Sequence, residues 1–382
     1  MKAVVLSGGG SKGSYQIGVW KALRKLHIKY DIITGTSVGA LNGALMVQNN
    51  YHKAINLWKK VNMKLLFGDE ATDSKDTKDI FNMYKNNFLK NGGMDVKNLE
   101  DVINKYLNKN LFYKSKIKFG LVTVNVSDKK AIQLSKDKIP SEHLTDYLMA
   151  SASCYPAFQA KDIKGNKYID GGFFDNLPIN LAIELGADEI IAVDLEAPGL
   201  KVRPKKKIKT ITIKPNNKLT NFLHFNEAGA KRNIKLGYND TMKVFGKYLG
   251  TKFTFSKYKI NITIDEIQEI FLYNFTNIIN TNKLNKIFDL DIFDPDKLVL
   301  KISEEVGEFL ELDETKIYNF KAFNNRLLKA FKSRKINNRS METTVILFNK
   351  MVERDYKYLR LKGILNPKEF IYALYLYSIS EV

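Results

Sequence analysis

One cysteine, Cys154, stands among 382 residues, so no intrachain disulfide is available to hold the fold. Long apolar runs are also missing. Each run, the aromatic stretch Phe370 to Tyr377 included, stays far below the roughly 18 residues that span a bilayer, so an integral membrane protein is not expected. The start, Met1-Lys2-Ala3-Val4-Val5-Leu6, gives way to glycines before a signal-peptide apolar region is complete, and the chain reads as cytoplasmic. Acidic residues are in deficit: 41 Asp and Glu face 61 Lys and Arg, for a net charge of +20. Residues 1–215 hold 34 basic and 21 acidic side chains and residues 216–382 hold 27 and 20, so the charge is not confined to one tail. Such a field favours anionic partners, whether lipid surfaces, nucleic acid or acidic metabolites, without choosing among them. The densest basic run is Lys201, Arg203, Lys205, Lys206, Lys207 and Lys209 around Pro204. It reads first as a solvated linker and second as a lipid- or nucleic-acid-binding patch.

What is present is enough to build a core. Hydrophobic residues make up 44% and charged residues 27%, a globular composition, and the length suggests two domains or one enlarged domain. Ala3 to Leu6 reads as a short buried strand that ends in the glycine loop Ser7-Gly8-Gly9-Gly10. Tyr15, Val19, Ala22, Leu23 and Leu26 recur at helical spacing, and Asp31-Ile32-Ile33-Thr34 follows as a second strand. After Ser37, Ala40 to Val47 reads as another helix. Lys118 to Val126, Ile190 to Leu195 and Ile208 to Ile213 are rich in β-branched residues and predict further strands. An α/β sheet domain is therefore expected over residues 1–215, interrupted by a helical insert at about 51–113 that contains a helix over Val96 to Tyr106 and a polar loop around Asp69 to Asp79. Beyond Pro215, stretches such as Ile264 to Ile279 and Phe320 to Phe331 carry helical periods, so residues 216–382 are expected to be mostly helical, with no role legible.

The chemistry gathers at three glycine-rich places. Gly35-Thr36-Ser37-Val38-Gly39 is a G-x-S-x-G pattern between a predicted strand and a predicted helix, where a serine can sit on a strained nucleophile elbow. The flanking glycines allow close backbone approach, and the helix N-terminus favours negative charge at the hydroxyl. Read blandly, it is a glycine turn with an incidental serine. Gly8-Gly9-Gly10-Ser11-Lys12-Gly13 ends the first strand and exposes backbone N–H groups suited to an oxyanion hole, with Lys12 adding positive charge nearby. The same loop fits a dinucleotide fingerprint through Gly8, Gly10 and Gly13, with Asp31 about 20 residues on. Tyr168-Ile169-Asp170-Gly171-Gly172, followed by Asn176-Leu177-Pro178, is either a plain β-turn or a carboxylate placed to accept a serine proton. A Ser-His-Asp triad finds little support. None of His27, His52, His143 and His224 lies in a segment resembling a catalytic loop, and of these only His224 follows Asp170. Cys154 reads as a buried thiol rather than a nucleophile.

Together, in this order and spacing, the three motifs resemble the patatin-like phospholipase family, here a bacterial patatin-like acyl hydrolase, and Ala150-Ser151-Ala152-Ser153 with Pro156 and Phe158 is similar to its segment ahead of the aspartate. The resemblance covers about residues 1–215. It implies a three-layer α/β/α sheet domain and a Ser37–Asp170 dyad without histidine, Ser37 as nucleophile and Asp170 as general base. It also implies an oxyanion hole from the glycine loop (Gly8, Gly9, Gly10, Ser11, Lys12, Gly13). Gly35, Gly39, Gly171 and Gly172 support the motif. Lys12 stands where the family often has arginine. The implied activity is phospholipase A or lysophospholipase-type hydrolysis of fatty-acyl esters, without metal or cofactor. The implied partner is a lipid or lysophospholipid substrate, and the positive charge adds the expectation of an anionic membrane surface bound peripherally, at the inner face, with no nucleic acid expected. Leu65, Leu66 and Phe67 are candidates to line an acyl pocket. A dinucleotide-binding protein and a catalytically silent lipid-binding scaffold are the competing readings.

Overall fold

The computed structural model describes residues 1–68, 71, 74, 76–279, 295–333 and 338–382. The polar loop expected around Asp69 to Asp79 therefore lies partly outside the described residues. The chain forms two compact units, Met1–Val244 and Phe245–Val382.

The first unit is built on an eight-stranded sheet. Its elements run β1 (Lys2–Leu6), α1 (Ser14–Lys25), β2 (Ile32–Thr36), α2 (Val38–Val47), α3 (Tyr51–Trp58), α4 (Met63–Phe67), α5 (Thr77–Asn91), α6 (Lys97–Tyr106) and α7 (Lys109–Lys114). They continue with β3 (Lys118–Asn125), β4 (Lys130–Ser135), α8 (Leu144–Ala152), β5 (Lys161–Ile163), β6 (Asn166–Asp170), α9 (Ile179–Glu184), β7 (Glu189–Val193), β8 (Lys209–Ile213) and α10 (Glu227–Val244). Strands β8, β7, β1, β2 and β3 are parallel neighbours in that order, while β4 and β6 pair antiparallel with β3.

A parallel sheet is covered on both faces, and its central strands accordingly read as unbroken apolar runs rather than alternating ones. In β1, Ala3 and Val5 pack with Ile32, Ile190, Ala192 and the α9 residues Ile179 and Ala182 on one face. Leu6, Ile33 and Phe119 meet α2 at Gly43 on the other. Helix, sheet and helix thus form the three layers expected from the sequence.

The end of the first unit falls at Val244 rather than at residue 215, because α10 packs along α1. The Tyr15 hydroxyl donates to Asp240 Oδ2 at 2.9 Å, and Asn233 Nδ2 donates to Ser14 Oγ at 3.2 Å. These partners lie more than 200 positions apart, so nothing local in the sequence marks the bond. The basic run after Leu200 is the exposed crossover from β7 to β8. Lys201, Lys205 and Lys209 are paired there with Asp194, Glu184 and Glu189.

The second unit is mostly helical, as its periods predict. Helices Ile260–Ile278, Pro295–Phe309, Phe320–Ser333, Arg339–Val352, Tyr356–Leu365 and Pro367–Ser380 surround a core rich in phenylalanine. A small three-stranded sheet of Tyr248–Leu249, Thr254–Ser256 and Ile317–Tyr318 accompanies them.

Candidate active site

Two strands bring Ser37 and Asp170 together. Along one edge of β3, Thr36 at the end of β2 pairs with Val122, and Asp170 at the end of β6 pairs with the next residue, Thr123. The two strands run in opposite directions and β4 occupies the other edge, so β2 and β6 meet end to end. Residues that leave those two ends are necessarily adjacent.

Ser37 follows β2 and opens α2 at φ 56°, a left-handed conformation rare for a side-chain-bearing residue. The turn is held tight by its glycines. A Cβ on Gly35 would collide with the backbone of Gly39, and one on Gly39 with the carbonyl oxygen of Leu6. The Ser37 N–H donates to Ser151 Oγ at 3.0 Å, and the Ser151 hydroxyl donates to the Val122 carbonyl at 2.7 Å. The Asp170 N–H donates to the Ser153 carbonyl at 2.9 Å. The end of α8 therefore fastens the serine turn and the aspartate turn to one another.

Both side chains are buried, Ser37 at 8% and Asp170 at 5% exposure. Burial pushes the Asp170 carboxyl up to about 6, against the lowering pull of the nearby Ser37 hydroxyl and of the Gly172 N–H, which donates to Asp170 Oδ1 at 2.7 Å. Asp175, five residues on, is also raised to about 6 by burial, although it accepts the N–H groups of Leu177 and Val202. Its carbonyl accepts the Thr36 hydroxyl at 2.7 Å, which ties the aspartate loop to β2.

The glycine loop is less open than its sequence suggests. The Gly8 N–H is held by the backbone carbonyl and Oδ1 of Asn176, both at 3.1 Å. The Ser11 N–H donates to Phe222 O at 2.8 Å and the Lys12 N–H to Gly9 O at 3.1 Å. Gly13 lies inside the short 3-10 turn Gly10–Gly13. Of the expected six, Gly8, Ser11, Lys12 and Gly13 are thus internal supports. The N–H groups of Gly9 and Gly10 have no acceptor among the described residues, and both glycines line the cavity beside Ser37 and Asp170. Gly10, at φ +52°, has its Cβ position filled by the Phe222 carbonyl, so only glycine fits there. Lys12 does not line the cavity: its Nζ donates to the carbonyls of Leu195 and Glu196 at 3.4 and 3.3 Å.

Two spaces flank the serine, and Gly10, Ser37 and Phe158 line both. One, of about 810 Å³, is lined by Ser37, Leu45, Trp58, Leu66, Ile103 and Phe225 among others and is almost wholly apolar. The helical insert supplies much of its wall. Of the three insert residues expected there, Leu66 lines it, Leu65 is exposed, and Phe67 is buried against Phe158 and Phe225. The other space, of about 710 Å³, opens past Asp170, Phe173, Asn176 and Leu223. Cys154 lines it, its thiol pushed up to about 12 by burial and by the Asp170 charge.

None of the four histidines lines either space. His143 is engaged by Asp146 at 2.9 Å. Asp31 does not suit the dinucleotide reading. It precedes β2, where its Oδ2 accepts the Lys2 N–H, at the opposite end of the sheet from the glycine loop. A ribose-binding acid belongs on the loop side, at the carboxyl ends of the strands. Among the described residues no three His, Cys, Asp or Glu side chains converge as a metal site requires.

A family model described as patatin-like phospholipase matches residues 4–183. Residues 4–183 belong to the patatin-like phospholipase family. The matched stretch contains the elbow, the glycine loop and the aspartate turn, and it stops before β7. Among curated relatives, the rat patatin-like phospholipase domain-containing protein 7 is 28% identical over 197 residues, 50% of this chain and 13% of that protein. The human patatin-like phospholipase domain-containing protein 6 is 28% identical over 200 residues, with the same shares. Lysophospholipase NTE1 of Coccidioides immitis is 28% identical over 207 residues, 51% of this chain and 11% of that protein. The chain thus spans little more than a tenth of the length of these relatives. Among solved structures, VipD from Legionella pneumophila aligns over 99% of this chain and 90% of its own, at 15% identity and a TM-score of 0.42. The type III effector ExoU aligns over 94% and 80%, at 11% identity and a TM-score of 0.32.

Proposed function

We propose that this patatin-like domain is a serine acyl hydrolase that cleaves fatty-acyl esters of lipids, of phospholipase A or lysophospholipase type. One observation carries the reading: a serine on a strained elbow and a buried aspartate line the same cavity, an apolar space adjoins the serine, and the N–H groups of Gly9 and Gly10 beside them have no acceptor among the described residues.

In the first half-reaction Asp170 accepts the Ser37 hydroxyl proton as Ser37 Oγ attacks the ester carbonyl carbon. The negative charge on the carbonyl oxygen is met by the N–H groups of Gly9 and Gly10, which need no reorganisation to receive it. The tetrahedral intermediate collapses, the C–O bond to the alcohol breaks, and the proton held by Asp170 passes to the departing alkoxide. Water, deprotonated by Asp170, then attacks the acyl-serine, the C–Oγ bond breaks as the proton on Asp170 returns to Ser37 Oγ, and the water's other proton stays on the fatty acid released. The acyl chain occupies the space walled by the helical insert and the alcohol part leaves through the space that Asp170 lines. A dyad needs no histidine here, because Asp170, held near 6, is basic enough to take the proton and weak enough to give it back.

The sequence relatives include proteins named lysophospholipases, which supports a single-chain phospholipid as the first substrate to try. The net charge of +20 supports a peripheral meeting with anionic lipid in the cytoplasm. Within the described residues no helix is long and apolar enough to cross a membrane. Fatty-acid release from lysophosphatidylcholine and lysophosphatidylglycerol tests the reading. Wild-type protein should release acid from at least one of them, and Ser37→Ala should lower the rate on the order of 10^4-fold or more. Equal rates for the two proteins would refute it.

A further inference from the structure

Helix α5 flanks the open space in front of Ser37. The Tyr84 hydroxyl donates to the carbonyl of Leu223, which lines that space, at 2.8 Å. The Phe88 ring meets that of Tyr155 edge-on at 5.7 Å, and Tyr155 follows Cys154, another lining residue. The inner face of the helix, with Ile80, Met83 and Tyr84, is buried. Its outer face carries Lys78, Asp79, Asn82, Lys85, Asn86, Lys90 and Asn91, and among them two large apolar side chains. Phe81 and Leu89 are 66% and 70% exposed, and with Lys85 they form one stripe at a spacing of four. Around the same mouth Tyr155, Phe173 and Leu200 are exposed as well. Phe173 lines the opening, and the Leu200 N–H donates to the Gly172 carbonyl in the aspartate turn.

Single exposed apolar residues are ordinary, but several carried on the segments that flank one apolar cavity mark a surface that meets something. The cations on α5 say what. Lys85 and Lys90 are exposed and have no carboxylate partner among the described residues. A helix that exposes two large apolar side chains together with lysines, beside an apolar cavity, is complementary to the headgroup layer of an anionic bilayer.

We propose that α5 and the rim of Tyr155, Phe173 and Leu200 are the membrane-docking face of the protein. Phe81 and Leu89 enter the headgroup–acyl boundary, Lys85 and Lys90 meet lipid phosphates, and the mouth opens onto the bilayer so that a substrate passes into the cavity without crossing water. The purpose of this face rests on the hydrolase reading, but its existence does not.

Vesicle pelleting of the full chain tests it, with vesicles of phosphatidylcholine alone or mixed with phosphatidylglycerol. Wild-type protein should pellet with the anionic vesicles. Phe81→Ser/Leu89→Ser should weaken that binding at least about tenfold. Lys85→Gln/Lys90→Gln should weaken it by a factor of about five per lysine, on anionic vesicles only. Hydrolysis of a soluble short-chain ester should be unchanged in both variants, which also shows that they fold. The proposal is overturned if wild-type protein ignores anionic vesicles, if either double variant binds as wild type does, or if Phe81→Ser/Leu89→Ser converts a dimer into a monomer, which would make the face a contact between copies. If no ester is hydrolysed by wild-type protein while the vesicle results hold, the hydrolase reading fails and the docking face stands.

Discussion

Ser37 and Asp170 each hold a state that the chain would not choose in isolation. A non-glycine residue at φ 56° costs on the order of 1–3 kcal/mol, and a buried carboxylate costs more than a hydrated one. In the unfolded chain the Asp170 carboxyl titrates near 3.8, and burial raises it to about 6. The native state therefore binds this proton more tightly. Its stabilising contribution is fully present below about pH 3.8 and is lost as pH rises through about 6. Above that, the buried charge costs on the order of 3 kcal/mol. Asp170→Asn keeps the acceptor for the Gly172 N–H and removes the charge. It should gain about 2–3 kcal/mol over wild type in denaturant unfolding at pH 7.5, and the gain should vanish near pH 4. No gain at pH 7.5 would contradict the burial argument. The same titration sets the activity profile: kcat/KM for wild type should fall about tenfold per unit below pH 6 and level off above it. At this scale the sequence was informative for a definite reason. Ser37 and Asp170 sit among glycines, which announce a tight turn wherever they cluster. That Gly8, Ser11 and Lys12 have spent their N–H groups was not legible, because the acceptors are Asn176, Phe222 and a carbonyl within the loop itself.

At the scale of elements, the site depends on two strands that share one edge of β3 from opposite ends. β2 was legible as an apolar run before the elbow, but β6 was not. Its five residues end at Asp170, just before Gly171 and Gly172, and look like a turn, because half of its pairing, to β3, is contributed from more than 40 positions away. Helix α8 closes the gap through Ser151, a positioning residue that touches neither substrate nor proton. Ser151→Ala leaves the Ser37 N–H and the Val122 carbonyl without this partner. That should destabilise the fold by about 1–3 kcal/mol and lower kcat by up to about 100-fold, with KM nearly unchanged. Ser151→Thr, which keeps the hydroxyl, should restore much of the rate. A KM effect without a kcat effect would place Ser151 in substrate binding instead.

For the whole molecule, the site and both of its cavities are drawn from residues 1–244, and α10 is part of that unit. The sequence signalled a change of character near Pro215 because the strands of the large sheet stop there. α10 belongs with the earlier residues for reasons of packing alone, through Tyr15 with Asp240 and Ser14 with Asn233. A fragment of residues 1–244 should accordingly fold and keep a reactive serine. One of residues 1–215 should expose the α1 face that α10 covers and should aggregate or melt at a markedly lower temperature. Equal stability of the two fragments would show that α10 is dispensable. The central claim, an activated Ser37 served by Asp170, is tested most directly by treating wild type, Ser37→Ala and Asp170→Asn with a fluorophosphonate probe and locating the adduct by peptide mass spectrometry. The account predicts an adduct on Ser37 alone in wild type, none in Ser37→Ala, and strongly slowed labelling in Asp170→Asn. An adduct on another residue, or labelling indifferent to Asp170, would contradict it.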